Sequence, residues 1–377
     1  MIRFPDPIYV TRPILPPLDA VTKRLAEVWA SGWLTNNGQQ QVRLEAALRG
    51  YLGVPHLALF NNGTAALMTA VRALDLSGEV ITTPFTFPAT PHVLAWSGIT
   101  PVFADVEAAR LTLDPRRVEE AITPQTTGIL AVHVYGWPCD VEGLQQVANR
   151  HGLKLVYDGA HVFGATMNGL GIGTFGDITM FSFHATKLFH TAEGGALACR
   201  DADLLGKIGR LRNFGILDPE TVDCVGLNGK MSELQASVGL AVLDYLHEEI
   251  AKRKALFELY QRLLGNVAGI TVLTGPAGVE RNYQYCVIRV DEDRFGCSRN
   301  AVHDELHRHN VISRKYFFPL CSDYTCYRHL PSADSSRLPI ARAAANEVLC
   351  LPLYGTLAPD AVEGICEIVA TRKGCAV

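Results

Sequence analysis

Short apolar runs alternate with amphipathic stretches through the first half of the chain. The apolar runs predict buried strands at residues 80–82, 101–104, 128–134 and 154–157. Between them, apolar positions recur at helical spacing and predict helices at 64–74, 90–96, 115–122 and 140–151. Strands that alternate with helices are typical of crossover units. We therefore predict an α/β fold in which a mostly parallel mixed sheet is flanked by helices.

The second half predicts a change of organisation. Further strands are expected at 178–183 and 195–200, followed by one long helix at 231–254. A strand at 285–290 and helices at 298–309 and 359–370 come after it. A chain of 377 residues suits two domains. We expect a large domain at 1–245 and a smaller α+β C-terminal domain at 246–377.

Composition narrows the possible classes of protein. Apolar residues make up 48% and charged residues 19%, an ordinary globular mixture. A formal net charge of −4 argues against a basic nucleic-acid-binding surface. No stretch approaches the roughly 20 apolar residues that a membrane span requires. The amino-terminal segment has no apolar run after its charges, so we expect no signal peptide.

The cysteines and histidines give no sign of a disulfide framework or a metal site. Ten cysteines are scattered without a CxxC pair. This pattern favours reduced thiols and a cytoplasmic location. The histidines at 133, 303, 307 and 309 show no metal-like pairing with nearby acids, so no metal is expected.

A candidate phosphate site lies at Asn61-Asn62-Gly63-Thr64. The segment follows a strand-like run at 57–60 and opens a predicted helix. Glycine allows a ligand to approach the backbone, and the helix start offers free N–H groups. Asn-Gly-Thr is also a common turn and helix cap, so a phosphate site and an ordinary turn are both consistent with this segment.

Asp158 ends the predicted strand at 154–157, where open α/β sheets place their ligands. A buried carboxylate requires a partner, and a protonated pyridine nitrogen would be one. The alternative is an aspartate that caps the following turn.

The segment Phe181-Ser182-Phe183-His184-Ala185-Thr186-Lys187 follows the next predicted strand. A lysine held away from water has a lowered pKa, which suits Schiff-base chemistry and proton transfer. Ser182 could bind the same phosphate as Thr64. A lone lysine is usually a solvated surface charge. Along the chain, the candidate phosphate site is followed by the aspartate, the serine and the lysine. This order makes a reactive role the better interpretation of Lys187.

The motifs NNGTAAL, PFTFPAT, DGAHVFG, FSFHATK with EGGA, and NGKMSELQA resemble those of the DegT/StrS family of sugar aminotransferases. They span about residues 30–240. The resemblance implies the fold type I architecture of pyridoxal-phosphate (PLP) enzymes. It also implies PLP as cofactor, with pyridoxamine 5'-phosphate as its alternate form, and Lys187 as the Schiff-base lysine that also moves the proton.

The resemblance further implies how the cofactor is held. Asp158 would pair with the ring nitrogen, Phe87 would stack on the ring, and His161 would line its pocket. The phosphate would be bound by Gly63, Thr64 and Ser182. Asn228 matches an asparagine that reaches the phosphate of the neighbouring subunit, so a homodimer with shared active sites is expected.

The substrates follow from the same resemblance. L-Glutamate would donate the amino group, and the acceptor would be a nucleotide-linked keto sugar. Relatives with histidine in place of the lysine are dehydratases, so Lys187 favours transamination. The HATK and AEGG segments look more like enzymes that aminate carbon 4 and form dTDP-4-amino-4,6-dideoxyglucose from dTDP-4-keto-6-deoxyglucose.

Four residues are candidates for the sugar site: Trp33, Arg314, Lys315 and Tyr316. Each also has an ordinary structural interpretation, as part of a loop or a strand end. Rival functions are amination of a 3-keto sugar or a cyclitol, and a regulator that binds PLP without turnover. A nucleotide-binding module built on Asn62-Gly63-Thr64 would leave Lys187 and Asp158 unexplained.

Overall fold

The computed structural model describes residues 4–371. Cys375 and the first three residues of the amino-terminal segment lie outside the described residues. Within residues 4–371, no helix combines the length and the apolar character needed to cross a membrane.

The strands of the described chain are short. In chain order they are β1 Ile8–Tyr9, β2 His56–Phe60, β3 Glu79–Thr82, β4 Thr100–Phe103, β5 Thr126–Val132, β6 Lys154–Asp158, β7 Thr166–Met167, β8 Leu170–Gly171, β9 Ile178–Ser182, β10 Gly195–Cys199, β11 Ile216–Asp218, β12 Thr221–Val222, β13 Ile270–Val272, β14 Val279–Glu280, β15 Cys286–Val290, β16 Val311–Ile312 and β17 Val348–Leu351.

The helices pack around these strands. In chain order they are α1 Leu18–Ser31, α2 Gln39–Leu52, α3 Gly63–Ala73, α4 Ala89–Trp96, α5 Pro115–Glu120, α6 Val141–His151, α7 Ala202–Arg212, α8 Glu233–Leu243, α9 Leu246–Leu264, α10 Glu292–Phe295, α11 Arg299–Arg308, α12 Pro339–Glu347 and α13 Pro359–Thr371.

The main sheet has seven strands in the order β2-β10-β9-β6-β5-β3-β4. The pairs among β3, β4, β5, β6 and β9 are parallel, whereas β10 runs antiparallel to both β9 and β2. The prediction of a mostly parallel mixed sheet flanked by helices is confirmed. Parallel strands end at the same edge of a sheet, so the ends of β5, β6 and β9 meet there.

Alternate residues of the central strands face two helical layers. Leu130, Val156 and Ile178 face one apolar cluster, which includes residues of α3, α4 and α7. Ile129 and Leu155 face the other side, toward α6. Asp158 and Met180 are paired across β6 and β9 and lie on the α3 side. The sheet therefore presents the end of β6 to the amino end of α3.

The C-terminal part has its own three-stranded antiparallel sheet, in the order β13-β15-β17. Its core includes residues of α9, α11 and α13. The amino-terminal strand β1 pairs with β16, so both ends of the chain contribute to this part. The domain boundary near residue 245 stays a prediction.

The prediction of a single long helix at 231–254 is wrong. Two helices, α8 and α9, replace it, and α9 continues to Leu264. Ser232 begins α8 with a capping box shared with Gln235. At the break, Tyr245 has φ −105° and ψ −1°, which lies outside regular helical geometry. Asp244 and Tyr245 are tolerated within helices, so the sequence carries no stop signal there.

Candidate active site

A cavity of about 350 Å³ opens where the ends of β6 and β9 meet the start of α3. This volume falls within the usual range for small-molecule sites. The sequence-predicted residues that line it are Gly63, Thr64, Phe87, Asp158, His161, Ser182, Lys187 and Tyr316. Residues from five separate stretches of the chain are therefore brought to one place.

The candidate phosphate cradle is formed by the start of α3. Asn62 caps the helix, and its side-chain oxygen accepts a hydrogen bond from the Ala65 amide at 2.8 Å. The first N–H groups of a helix have no partner within the helix and attract anions. A Cβ atom on Gly63 would lie 3.3 Å from the Ser182 hydroxyl oxygen. Ser182 is therefore within reach of any anion held at this helix start.

Strand β10 lies very close to the phosphate cradle. Gly195 pairs with both Phe60 and Ser182 across its two neighbouring strands. A Cβ atom on Gly195 would lie 2.9 Å from the Gly63 Cα atom, too close for an ordinary contact. Glycine at 195 allows the cradle and the end of β9 to lie this near each other.

Asp158 is almost fully buried, with 5% of its surface exposed. One carboxylate oxygen accepts the Ala160 amide at 3.1 Å, and the other accepts the Thr90 hydroxyl at 2.8 Å. Burial raises the pKa of Asp158, and these hydrogen bonds together with the charge of Lys187 oppose the rise. The carboxylate would be stabilised further by a cation in the cavity.

Lys187 lies in a tight turn after β9, where its amide donates to the His184 carbonyl at 2.8 Å. Its side chain is partly buried in the cavity wall. Loss of solvent lowers the pKa of Lys187 to about 8, and the charge of Asp158 limits the fall. A lysine with this pKa is partly neutral near neutral pH, as a nucleophile or a base must be.

His161 has a defined tautomer. Its Nδ1 atom accepts the Tyr135 amide at 3.3 Å, so the proton lies on Nε2 when the ring is neutral. Burial holds the pKa of His161 well below its ordinary value. The ring lies parallel to that of Phe317 at 5.9 Å and edge-on to that of Tyr285 at 4.9 Å. These contacts fix a neutral N–H donor in the cavity wall.

The opening of the cavity is more exposed. Phe87 is 58% exposed although it lines the cavity, so its ring is free to contact a ligand. His184 and Glu193 also lie there, with 3.6 Å between the His184 Nε2 atom and a Glu193 carboxylate oxygen. Both side chains are accessible to a substrate that enters the cavity.

Other predicted residues lie outside the lining of the cavity. Trp33 is 56% exposed and donates its indole N–H to the Asn36 carbonyl. Arg314 is exposed, and Lys315 follows it in the loop before Tyr316. The Asn228 carbonyl accepts from Asn61, and its side-chain oxygen accepts from the Lys230 ammonium at 2.6 Å. Asn228 therefore contacts the residue that precedes the Asn62 cap but does not line the cavity.

Several residues in or beside the cavity wall had no role assigned from the sequence. Thr86 and Thr90 lie 2.9 Å apart, hydroxyl to hydroxyl, beside Asp158. The PFTFPAT motif contains both, and it was the signal that could have identified them. Tyr285 and Phe317 enter the cavity wall from the C-terminal part, and no local pattern indicates this.

A larger cleft of about 840 Å³ lies at the opposite edge of the main sheet, near Lys154, Asp177 and Arg200. It contains no predicted site residue, and parallel sheets bind ligands at the carboxyl ends of their strands. Within residues 4–371, no group of three or more His, Cys, Asp or Glu side chains is placed to hold a metal ion.

Comparison with known proteins places this cavity in context. The sequence model of the DegT/DnrJ/EryC1/StrS aminotransferase family matches residues 19–370. The dTDP-4-amino-4,6-dideoxy-D-glucose transaminase of Escherichia coli is 44% identical over 365 residues, covering 96% of this chain and 98% of the relative.

Two solved structures extend the comparison. The crystal structure of DesI in the presence of its TDP-sugar product superposes with a TM-score of 0.94 at 36% identity, covering 98% of this chain and 94% of that one. The PMP form of a putative sugar aminotransferase from Streptococcus pneumoniae gives a TM-score of 0.88 at 27% identity, covering 96% and 98%. The similarity therefore extends over nearly the whole chain, including every segment that lines the cavity.

Proposed function

Because the chain belongs to the DegT/DnrJ/EryC1/StrS aminotransferase family, we propose that it moves an amino group from L-glutamate to a nucleotide-linked keto sugar with pyridoxal 5'-phosphate as cofactor. The proposed acceptor is dTDP-4-keto-6-deoxyglucose. The products are dTDP-4-amino-4,6-dideoxyglucose and 2-oxoglutarate. The observation that carries this proposal is the convergence of Lys187, Asp158 and the start of α3 on one cavity. The high identity to the Escherichia coli transaminase supports the choice of sugar.

The residues of the cavity fit the cofactor. The start of α3 offers N–H groups without partners in the helix, and the Ser182 hydroxyl lies beside Gly63, so these groups can converge on a phosphate. Asp158 is a buried carboxylate whose pKa is raised by desolvation, and a protonated ring nitrogen would relieve this cost. Gly63, Thr64 and Ser182 would hold the phosphate, and Phe87 would stack on the ring.

When bound, PLP withdraws electrons from the carbon that carries the amino nitrogen. Asp158 keeps the ring nitrogen protonated, and Thr90 and the Ala160 amide hold the carboxylate in place. His161 is able to donate its Nε2 proton to an acceptor on the ligand, because its Nδ1 atom is already engaged. These groups orient the ligand and balance its charge.

Lys187 is proposed to hold the cofactor covalently and to move the proton between carbon atoms during transfer. A pKa of about 8 allows its amine both to accept and to release a proton near neutral pH. His184 and Glu193, at the opening, are placed to contact the substrate as it enters.

We also propose a homodimer in which Asn228 completes the phosphate site of the partner. Asn228 is exposed and is not part of the lining of its own cavity. The adjacent hairpin of β11 and β12 exposes Leu217 and Val222, and the segment after it exposes Val225, with 56%, 66% and 81% of their surfaces accessible. Clustered exposed apolar side chains are typical of interaction surfaces.

A two-step absorbance experiment on the purified protein with PLP tests the proposed reaction. L-Glutamate is added first, and dTDP-4-keto-6-deoxyglucose follows. We expect the visible band of the bound cofactor to disappear with glutamate and to return with the sugar. NMR of the sugar product then identifies the aminated carbon.

The other outcomes discriminate among the rivals. Loss of the band without its return would reject this acceptor and favour a 3-keto sugar or a cyclitol. A bound cofactor that never responds to glutamate would favour a regulator without turnover. If no cofactor binds, the proposed role of Lys187 is wrong.

A further inference from the structure

The side-chain amide of Gln284 contacts both peptide groups that flank Lys187. Its oxygen accepts the Leu188 amide at 2.7 Å, and its NH₂ group donates to the Thr186 carbonyl at 3.3 Å. These two backbone groups belong to the peptide bonds immediately before and after Lys187. Gln284 is 1% exposed, and it is not among the residues that line the cavity.

A planar amide that bonds both neighbouring peptides restrains their relative orientation. The contact is non-local, because 96 positions separate Gln284 from Leu188. Leu188 is fully buried, so its amide has no access to bulk water as an alternative. Leaving such buried groups unpaired is costly, which favours the observed arrangement over a loose one.

The neighbouring Asn282 restrains a second segment of the site. Its NH₂ group donates to the His161 and Phe163 carbonyls at 2.9 and 3.0 Å. Its side-chain oxygen accepts a hydrogen bond from the Gln284 backbone N–H at 3.0 Å. Residues 282–284 therefore connect the loop after β6 to the turn that carries Lys187.

These residues immediately precede β15, the central strand of the C-terminal sheet. Lys187 itself follows β9 of the main sheet. The position of the lysine backbone is thus tied to two different sheets. Movement of one relative to the other would displace the Lys187 backbone unless these hydrogen bonds yielded.

We propose that Gln284 is a positioning residue for Lys187. It fixes the backbone from which the lysine side chain enters the cavity, and it contacts neither cofactor nor substrate. The inference rests on the proposed function, because it takes Lys187 as the reactive amine. It also accounts for a buried glutamine that the proposed mechanism otherwise leaves without a role.

Cofactor-free protein provides the first test. The rate of Lys187 acetylation by acetic anhydride is measured against pH by mass spectrometry, in the unmodified protein and in Gln284→Met. Burial keeps the pKa of Lys187 at about 8. We expect the labelling midpoint of Gln284→Met to rise by about one pH unit, because a less restrained lysine is better hydrated.

The matched control is Gln40→Met. Gln40 is likewise 1% exposed, but its side-chain NH₂ group bonds Glu27 on α1, away from the cavity. We expect this variant to keep the labelling midpoint of the unmodified protein. Gln284→Asn is a second test variant that retains the amide but is too short for both contacts, in case Gln284→Met does not fold.

Turnover with PLP provides the second test. We expect Gln284→Met to lose roughly 10- to 100-fold in kcat, because a displaced reactive group slows the chemical step. KM for either substrate should change by less than about twofold, because Gln284 contacts no ligand.

A folded Gln284 variant that matches Gln40→Met in both labelling midpoint and kcat would overturn the proposal. A shifted midpoint in a protein that transaminates none of the candidate substrates would support the positioning role and reject the proposed function. The two hypotheses are therefore separable.

Discussion

The Thr90 hydroxyl donates a hydrogen bond to the Asp158 carboxylate at 2.8 Å, and it joins the start of α4 to the end of β6. Thr86 lies 2.9 Å from the same hydroxyl and extends the contact to the loop before α4. The two hydrogen-bond donors to the buried carboxylate, the Thr90 hydroxyl and the Ala160 amide, are thus neutral. A positive side chain bonded to Asp158 would compete with a cationic ring nitrogen for the carboxylate, whereas neutral donors leave it free to form that pair.

Thr90→Val tests this arrangement. Removal of the hydroxyl should raise the pKa of Asp158 further and weaken its pairing with the ring nitrogen. We expect the Kd for PLP to rise roughly tenfold, as for the loss of one hydrogen bond to a charged group. Titration of cofactor-free protein with PLP measures this change. Thr69→Val is the control, because Thr69 is equally buried and bonds only the Ala65 carbonyl.

Lys187→Ala should abolish turnover. The variant removes the amine that we propose both to hold the cofactor and to move the proton. We expect kcat to fall on the order of a thousandfold or more. Steady-state assays with glutamate and the sugar measure it, and Lys23→Ala, on the exposed face of α1, should retain normal activity. Near-normal transamination by Lys187→Ala would show that another group performs the chemistry.

Stability of the cofactor-free protein should depend on Lys187 in alkaline solution. The folded protein lowers the pKa of Lys187 from 10.5 to about 8, so folding penalises the protonated form. Between these values the unfolded chain binds more protons at this site, and stability therefore rises with pH. Relative to Lys187→Met, the unmodified protein should gain on the order of 2 kcal/mol between pH 8 and 10. Urea unfolding at each pH measures the difference, and a constant difference would mean that Lys187 is solvated.

Much of the fold followed from the sequence because its signals are local. The strands β3 to β6 are short apolar runs between polar segments, and α6 lies within the helix predicted at 140–151, with Asp140 as its cap. The break between α8 and α9 could not be predicted, since Asp244 and Tyr245 do not stop a helix by themselves.

The candidate site likewise contains residues that the sequence could predict and residues that it could not. Gly63, Asp158 and Lys187 each follow or open a regular element, so their order along the chain carried the prediction. Gln284 acts through two hydrogen bonds to residues far along the chain. Such contacts depend on tertiary packing, and no periodicity or spacing indicates them.

Gly195→Ala should damage the phosphate cradle. The added Cβ would lie 2.9 Å from backbone atoms of Asn62 and Gly63, which have no flexible end to move aside. We expect a rise of at least roughly tenfold in the Kd for PLP, because displaced N–H groups no longer converge on the phosphate. Gly50→Ala is the control, since nothing lies within 4 Å of its Cβ position. Equal affinity in the two variants would place the phosphate elsewhere.

The proposed dimer predicts the effect of a charge at Val225, in the segment that follows the hairpin of β11 and β12. Val225 is 81% exposed, and burial against a partner would make an aspartate there costly. We expect light scattering to give twice the 41.1 kDa chain mass for the unmodified protein and a shift toward one chain mass for Val225→Asp. PLP affinity should fall with it, because Asn228 would no longer reach a partner. Leu170→Asp, at an exposed position on a different hairpin, should remain dimeric. An unmodified protein that is monomeric yet fully active would refute the shared site.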